Sequence, residues 1–114
     1  MGDFGERVAA ARLEAAGMEL LARNVRTASG EIDLLAKDGD DLVFVEVRAR
    51  HSADGGAAES VTRRKVARMW QCATEWCEAN GADTELVRLD VLAIDLGEGG
   101  RVDRVEHFRG VGLG

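Results

Sequence analysis

Two acids stand out because of where they fall. Asp33 and Glu46 lie in the stretch GEIDLLAKDGDDLVFVEVRAR, residues 30–50, inside two segments that are otherwise mostly apolar. A carboxylate in such a segment is costly to bury unless something offsets its charge. Arg48 and Arg50 follow Glu46 at every second position. Residues of these types at this spacing support two kinds of chemistry. Paired carboxylates can hold a hard divalent cation such as Mg²⁺ or Mn²⁺, which keeps several waters of its own. Such an ion activates water and stabilises charge on a phosphodiester. Alternatively, the acids pair with Arg48 or Arg26 at a solvated sheet edge. Spacing alone leaves both open.

The elements that must position these residues follow from the apolar pattern. DFGERVAAARLEAAG reads as a helix, with Phe4, Val8, Ala11 and Ala15 at helical spacing, Asp3 as N-cap, Glu6 closing a capping box and Gly17 as the stop. MELLARNVRT, EIDLLAK and LVFVEVRAR read as three strands separated by the turns ASG and DGDD. HSADGGAAE is a connection, after which Ser60 or Thr62 caps a second helix that runs to about Asn80-Gly81. Its apolar stripe is Val66, Met69, Trp70, Ala73 and Cys77. ELVRLDVLAID and the charged, edge-like RVDRVEHF are the last strands, with LGEGG as the turn between them. The fold class is α/β, a mixed five-stranded sheet flanked by helices in the order α-β-β-β-α-β-β. The second helix acts as a crossover. Residues 1–114 form a single domain, with about 109–114 as a mobile tail.

Side chains alternate along a strand, so Leu42, Phe44, Glu46, Arg48 and Arg50 share one face, and Val43, Val45, Val47 and Ala49 the other. A four-residue DGDD loop pairs Lys37 with Leu42, Leu35 with Phe44, Asp33 with Glu46 and Glu31 with Arg48. A two-residue Asp38-Gly39 turn shifts this pairing but keeps Asp33 and Glu46 on one face; a three-residue loop or a bulge separates them. Like charges opposite one another destabilise a sheet, so a cation is expected beside this pair.

Composition narrows the class. Hydrophobic residues make up 46% and charged residues 32%, which describes a globular chain rather than a disordered one. The apolar runs are too short to span a bilayer, and the N-terminus lacks a basic-then-apolar signal pattern, so a cytoplasmic location and no membrane partner are expected. Cys72 and Cys77, five apart on one helix, suit neither a disulfide nor a zinc site. A net charge of −6 argues against general nucleic-acid affinity. The charge is uneven, however: residues 48–68 hold six basic residues (Arg48, Arg50, Arg63, Arg64, Lys65, Arg68) and two acidic ones, between two acidic blocks. With no Tyr and 4% aromatic residues, a base-stacking platform for single strands is poorly supported.

GERVAAARLEAAG, LARNVRTASGEIDLLAKDGDDLVFVEVRAR, TRRKVARM and VRLDVLAID together resemble the YraN family of small bacterial proteins, over almost the whole chain. That family looks like a member of the restriction-endonuclease-like superfamily, which includes archaeal Holliday junction resolvases. The resemblance implies a restriction-endonuclease-like fold and a metal-dependent endonuclease-like protein acting on nucleic acid, with structured or branched DNA as the substrate. The superfamily pattern is an aspartate, then Glu-x-Lys on the next strand, often with a glutamate from the preceding helix. By resemblance these are Asp33, Glu46-Val47-Arg48 and Glu6. Asp33 and Glu46 would bind Mg²⁺ or Mn²⁺, helped by the Val47 carbonyl, with Glu6 contributing directly or through water.

Arg48 departs from that pattern. Arginine stays protonated, so Arg48 is excluded as a general base, although it can hold a phosphate bidentately. Lys65 is the substitute to consider. Lys65, Arg68 and Cys72 line one flank of the second helix, and Arg63, Arg64, Lys65 and Arg68 with Arg48 and Arg50 form the candidate nucleic-acid-binding set. Arg88 and Asp90 are expected as a local ion pair, and Arg26 as a brace for Asp33 or Glu31. Two further readings stand beside the nuclease: a catalytically impaired nucleic-acid-binding module, and a protein-interaction domain that pairs as a homodimer through its edge strand or hairpin.

Overall fold

The computed structural model describes residues 2–51 and 61–112, with backbone only at residues 2 and 3. Helix α1 spans Gly2–Ala15 and is followed by three strands, β1 (Glu19–Thr27), β2 (Gly30–Asp38) and β3 (Asp41–His51). Helix α2 (Arg63–Asn80) leads to β4 (Val87–Leu96) and β5 (Val102–Phe108), with 3-10 turns at Thr84–Leu86 and Glu98–Gly100. The α-β-β-β-α-β-β order is as expected. The spatial order of the five-stranded sheet is that of the chain, β1-β2-β3-β4-β5. Only β3 and β4 are parallel; α2 makes their crossover, and the other pairs are antiparallel.

The helices cover opposite faces. Val66, Met69, Cys72, Ala73 and Cys77 of α2 pack on Leu35, Phe44, Leu89 and Val91. Ala9, Ala10 and Leu13 of α1 pack on Leu34, Ala36, Val43, Val45, Leu92 and Ile94. With both faces covered, the central strands need apolar residues in both phases, which is why β3 and β4 read as nearly continuous apolar runs.

Helix α1 differs from its expected phase. Phe4 is 39% exposed, and Ala11 and Ala15 are exposed, while Gly5, Ala9, Ala10 and Leu13 are buried. The smallest residues face the sheet, so the helix lies close: a Cβ on Gly5 would meet the Ala49 Cβ at 3.3 Å. The helix begins before Asp3, which therefore lies inside it, and the Asp3 side chain lies outside the described residues. Gly17 stops the helix as expected, at φ 91°, and the Met18 N–H closes on the Leu13 carbonyl at 3.0 Å.

Helix α2 is capped as expected by Thr62, whose side chain accepts from the Lys65 N–H, and ends at the left-handed Gly81, φ 65°. The alternative cap, Ser60, lies outside the described residues. Trp70 departs from the expected stripe and is 42% exposed; Cys72 takes its place in the core. Trp76 is partly buried edge-on against Phe44, with ring centroids 5.7 Å apart. Both cysteines are free and buried.

Beyond β5, backbone N–H groups of the C-terminal stretch bond to β4. The Val111 N–H donates to the Leu89 carbonyl at 2.8 Å, and the Gly110 N–H donates to the Asp90 carboxylate at 3.0 Å. No helix among the described residues is long and apolar enough to cross a membrane.

Candidate active site at the splayed end of the hairpin

The β2–β3 hairpin takes the register that a DGDD loop dictates. Lys37 pairs with Leu42 and Leu35 with Phe44, and Asp38 pairs with Asp41 so that the chain reverses over Gly39 (φ 62°) and Asp40. The ladder then stops at Leu34↔Val45, one step short of the acids. Asp33 and Glu46 are therefore not cross-strand ladder partners, nor are Glu31 and Arg48.

The cause lies in the pleat. Ile32 and Leu35 both feed the α2-side core although they are three apart, and on β1 so do Ala22 and Val25. Strict alternation would send one of each pair to the other face. The break falls at Asn24 and Asp33, which sit opposite each other between the pairs Arg23↔Leu34 and Val25↔Ile32; Asn24 has a left-handed backbone, φ 52°. Released from the ladder, the Asp33 carboxylate moves sideways, and its Oδ2 accepts the Val47 N–H at 2.7 Å. It takes the place that a β2 carbonyl would occupy in an unbroken ladder, and so lies in the gap between the two faces of the sheet.

Around this gap the molecule forms an open cleft of about 430 Å³, lined by Glu6, Asp33, Val47, Arg48, Arg50 and His51 among others. Helix α1 delivers Glu6 because Gly5 brings the helix against Ala49. Glu46 sits beside this cleft, 6% exposed, with Arg48 Nη1 3.5 Å from its Oε2.

Both acids are held out of their ordinary range. Burial pushes the Asp33 carboxyl up and Glu31 adds to this, against the Val47 hydrogen bond and the charges of Arg48 and Arg68. Burial also pushes Glu46 up and the Asp33 charge adds to it, while Arg48, Arg68 and Lys65 pull it back. Lys65 is pushed down, first by desolvation and then by Arg48, with Arg68 and Arg50 adding to that effect and Glu46 opposing it.

The structure thus gathers Asp33, Glu46, Val47, Arg48, Arg50, Lys65 and Arg68 around one end of the sheet, with Glu6 in the same cleft as Asp33. Arg68 lies along the β1–β2 turn, its stem 3.4 Å from where a Cβ of Gly30 would stand. Arg64 is exposed one turn before Arg68 on the same side of α2. Arg63, the first residue of α2, is exposed. Arg26 pairs with Glu31 at 3.1 Å in solvent, not with Asp33.

The oxygens of Asp33, Glu46 and the Val47 carbonyl are of the kind that Mg²⁺ and Mn²⁺ take. A buried and a half-buried carboxylate that repel each other have the electrostatics that a divalent cation relieves. Among the described residues, no three His, Cys, Asp or Glu side chains stand close enough to hold a metal by themselves. An ion here would complete its shell with the carbonyl and water.

The Arg88–Asp90 ion pair forms as expected, within a larger polar cluster. Asp90, fully buried, accepts from Arg88 Nε and Nη2 at 3.0 Å each and from the Gly110 N–H at 3.0 Å, and pairs with His107 Nε2 at 2.7 Å. Arg88 Nη1 continues to Asp38 at 2.9 Å and Asp41 at 3.4 Å. Burial would raise the Asp90 carboxyl, but the bonds from Arg88, Gly110 and His107 outweigh it and hold it below its usual range. This cluster clamps the turn end of the hairpin, opposite the splayed end. On another side of α2, the Glu75 carboxylate accepts from both the Ser29 N–H and the Ser29 hydroxyl, which fixes the helix to the β1–β2 turn.

Residues 5–94 match the model of the uncharacterised protein family UPF0102. The chain belongs to that family. The UPF0102 protein of Beutenbergia cavernae is 49% identical over 113 residues, covering 98% of this chain and 95% of its own. Those of Kineococcus radiotolerans and Pelotomaculum thermopropionicum are 48% and 44% identical and cover 97% and 95% of this chain, and 92% and 91% of their own. Membership agrees with the resemblance read from the GEIDL and FVEV stretches. The UPF0102 match contains Glu6, Asp33, Glu46, Arg48, Lys65 and Asp90; His107 lies beyond it.

Proposed function

We propose that this UPF0102 protein is a metal-dependent endonuclease-type domain that acts on phosphodiesters of nucleic acid, with structured or branched DNA as the favoured class. The observation that carries this reading is the Asp33–Glu46 pair. Two carboxylates lie where β2 and β3 part, Glu46 buried and Asp33 partly so, both with raised proton affinity, and Arg48, Lys65 and Arg68 act on them. Acids perturbed by burial and by a like-charged neighbour cluster at functional sites. A bound Mg²⁺ or Mn²⁺ would supply a polarised water and charge stabilisation at the phosphorus. The chain's own residues would do the rest. Asp33 is oriented by the Val47 N–H, Glu46 by Arg48, and the basic group on β3 and α2 holds the backbone of the substrate.

One observation favours a second reading. Arg48 stands where the superfamily resemblance expects lysine, and a guanidinium does not give up its proton. A module that binds nucleic acid without cutting it would have this feature. A cleavage assay on branched, flapped and single-stranded DNA and RNA, with Mg²⁺ and with Mn²⁺, separates the two. The nuclease reading expects cleavage by the wild type that disappears in Asp33→Asn and Glu46→Gln. Binding without cleavage by the wild type, on every substrate and with both metals, favours the binding module.

A further inference from the structure

We propose that Lys65, reaching in from α2, is the cation that contacts the substrate phosphate beside the acid pair, and that Arg48 is a positioning residue that holds Glu46. The proposal rests on the nucleic-acid reading above and assigns roles within it.

Three observations carry it. First, Arg48 is engaged. Its guanidinium turns back along its own strand to the almost fully buried Glu46 carboxylate, at 3.5 Å. Withdrawing it to serve a phosphate would take from a buried acid the one cation that forms an ion pair with it among the described residues, which is costly.

Second, Lys65 approaches from a different element. It lies in the first turn of α2, where the Thr62 hydroxyl accepts its backbone N–H at 3.2 Å and fixes the start of the helix. Its side chain is partly buried and lies where Glu46, Arg48, Arg50 and Arg68 all act on it. An ammonium on a flexible four-carbon stem has rotatable donors and can follow a phosphate oxygen.

Third, the cations repel one another. Arg48, Arg50 and Arg68 all lie near enough to Lys65 for their charges to act on it. Such a patch gains when several phosphates approach together, and a nucleic-acid backbone supplies them at regular spacing.

The test is binding of a fluorescently labelled branched DNA, followed by anisotropy over a salt series, with Ca²⁺ in place of Mg²⁺ so that cleavage does not intervene. Wild type is compared with Lys65→Ala, Lys65→Arg and Arg12→Ala, the last an exposed residue on the far part of α1. Lys65→Ala is expected to weaken binding about 5- to 10-fold and to reduce the slope of log affinity against log salt by roughly one. Lys65→Arg is expected to restore most of both, and Arg12→Ala to match the wild type. Thermal melts check that each variant is folded. The proposal falls if Lys65→Ala binds like Arg12→Ala, or if a folded Lys65→Arg is as weak as Lys65→Ala. A wild type that binds no DNA at low salt removes the functional reading itself, and this assignment with it.

Discussion

The Asp33 carboxylate accepts the Val47 N–H at 2.7 Å across the point where β2 and β3 stop pairing. One oxygen does the work of a missing ladder carbonyl, and the charge is left over. The two effects can be separated. Asp33→Asn keeps a side-chain oxygen for Val47 and removes the charge that burial and Glu31 disfavour, so its melting temperature at neutral pH is expected to rise above that of the wild type. Asp33→Ala leaves the Val47 N–H without its acceptor and is expected to be about 1 to 3 kcal/mol less stable than Asp33→Asn. Denaturant titrations of the three proteins check the order. An asparagine form less stable than wild type would show that the charge stabilises the fold.

The pH dependence has a definite sign. Asp33 and Glu46 have raised folded-state values, so the folded protein binds protons more tightly than the unfolded chain at these two sites. Their favourable contribution is complete below the ordinary carboxylate range and is lost as pH rises through the raised values. The stability advantage of Asp33→Asn/Glu46→Gln over the wild type should therefore grow from about pH 4 to pH 7. Urea midpoints across that range measure it, and a constant difference would count against the assignment.

A divalent cation should act on the same charges. Adding millimolar Mg²⁺ or Mn²⁺ is expected to raise the melting temperature of the wild type, because a ligand that binds only the folded state stabilises it by mass action. The Asp33→Asn/Glu46→Gln protein should not respond. Equal shifts in both would place any metal effect elsewhere.

Asp90 carries the opposite sign. Its lowered folded-state value contributes stability above the ordinary aspartate value, and that contribution is lost as pH falls through the folded value. Asp90→Asn removes the charge from a fully buried, four-donor position and is expected to cost about 3 to 5 kcal/mol near neutrality, less in acid. His107→Phe removes one of those donors and should cost about 1 to 3 kcal/mol. Chemical denaturation at two pH values is sufficient to check both.

Much of this arrangement was legible in the sequence, for reasons that can be named. The hairpin register follows from counting DGDD and from the alternation of Leu42, Phe44 and Glu46. Thr62 and Gly81 mark both ends of α2 with local signals. What escaped were features that depend on a neighbouring element. The break at Asp33 needs Asn24, on the adjacent strand, to turn left-handed. Arg88 and Asp90 are two apart and read as a pair, but His107 and Gly110 meet Asp90 only after β5 has folded back on β4. Helix α1 differs from the expected phase because an alanine-rich helix carries little apolar contrast, and Phe4, its largest apolar residue, is exposed while Leu13 is buried.

The close seat of α1 has a consequence for the cleft. Gly5 spaces the helix from Ala49 by backbone thickness alone, and the next residue along is Glu6. Position 5 therefore acts as a gauge block between two carboxylate-bearing elements. A methyl group there would demand a few tenths of an ångström from the strand or the helix. The width of the opening is thus set by the side chain that position 5 does without.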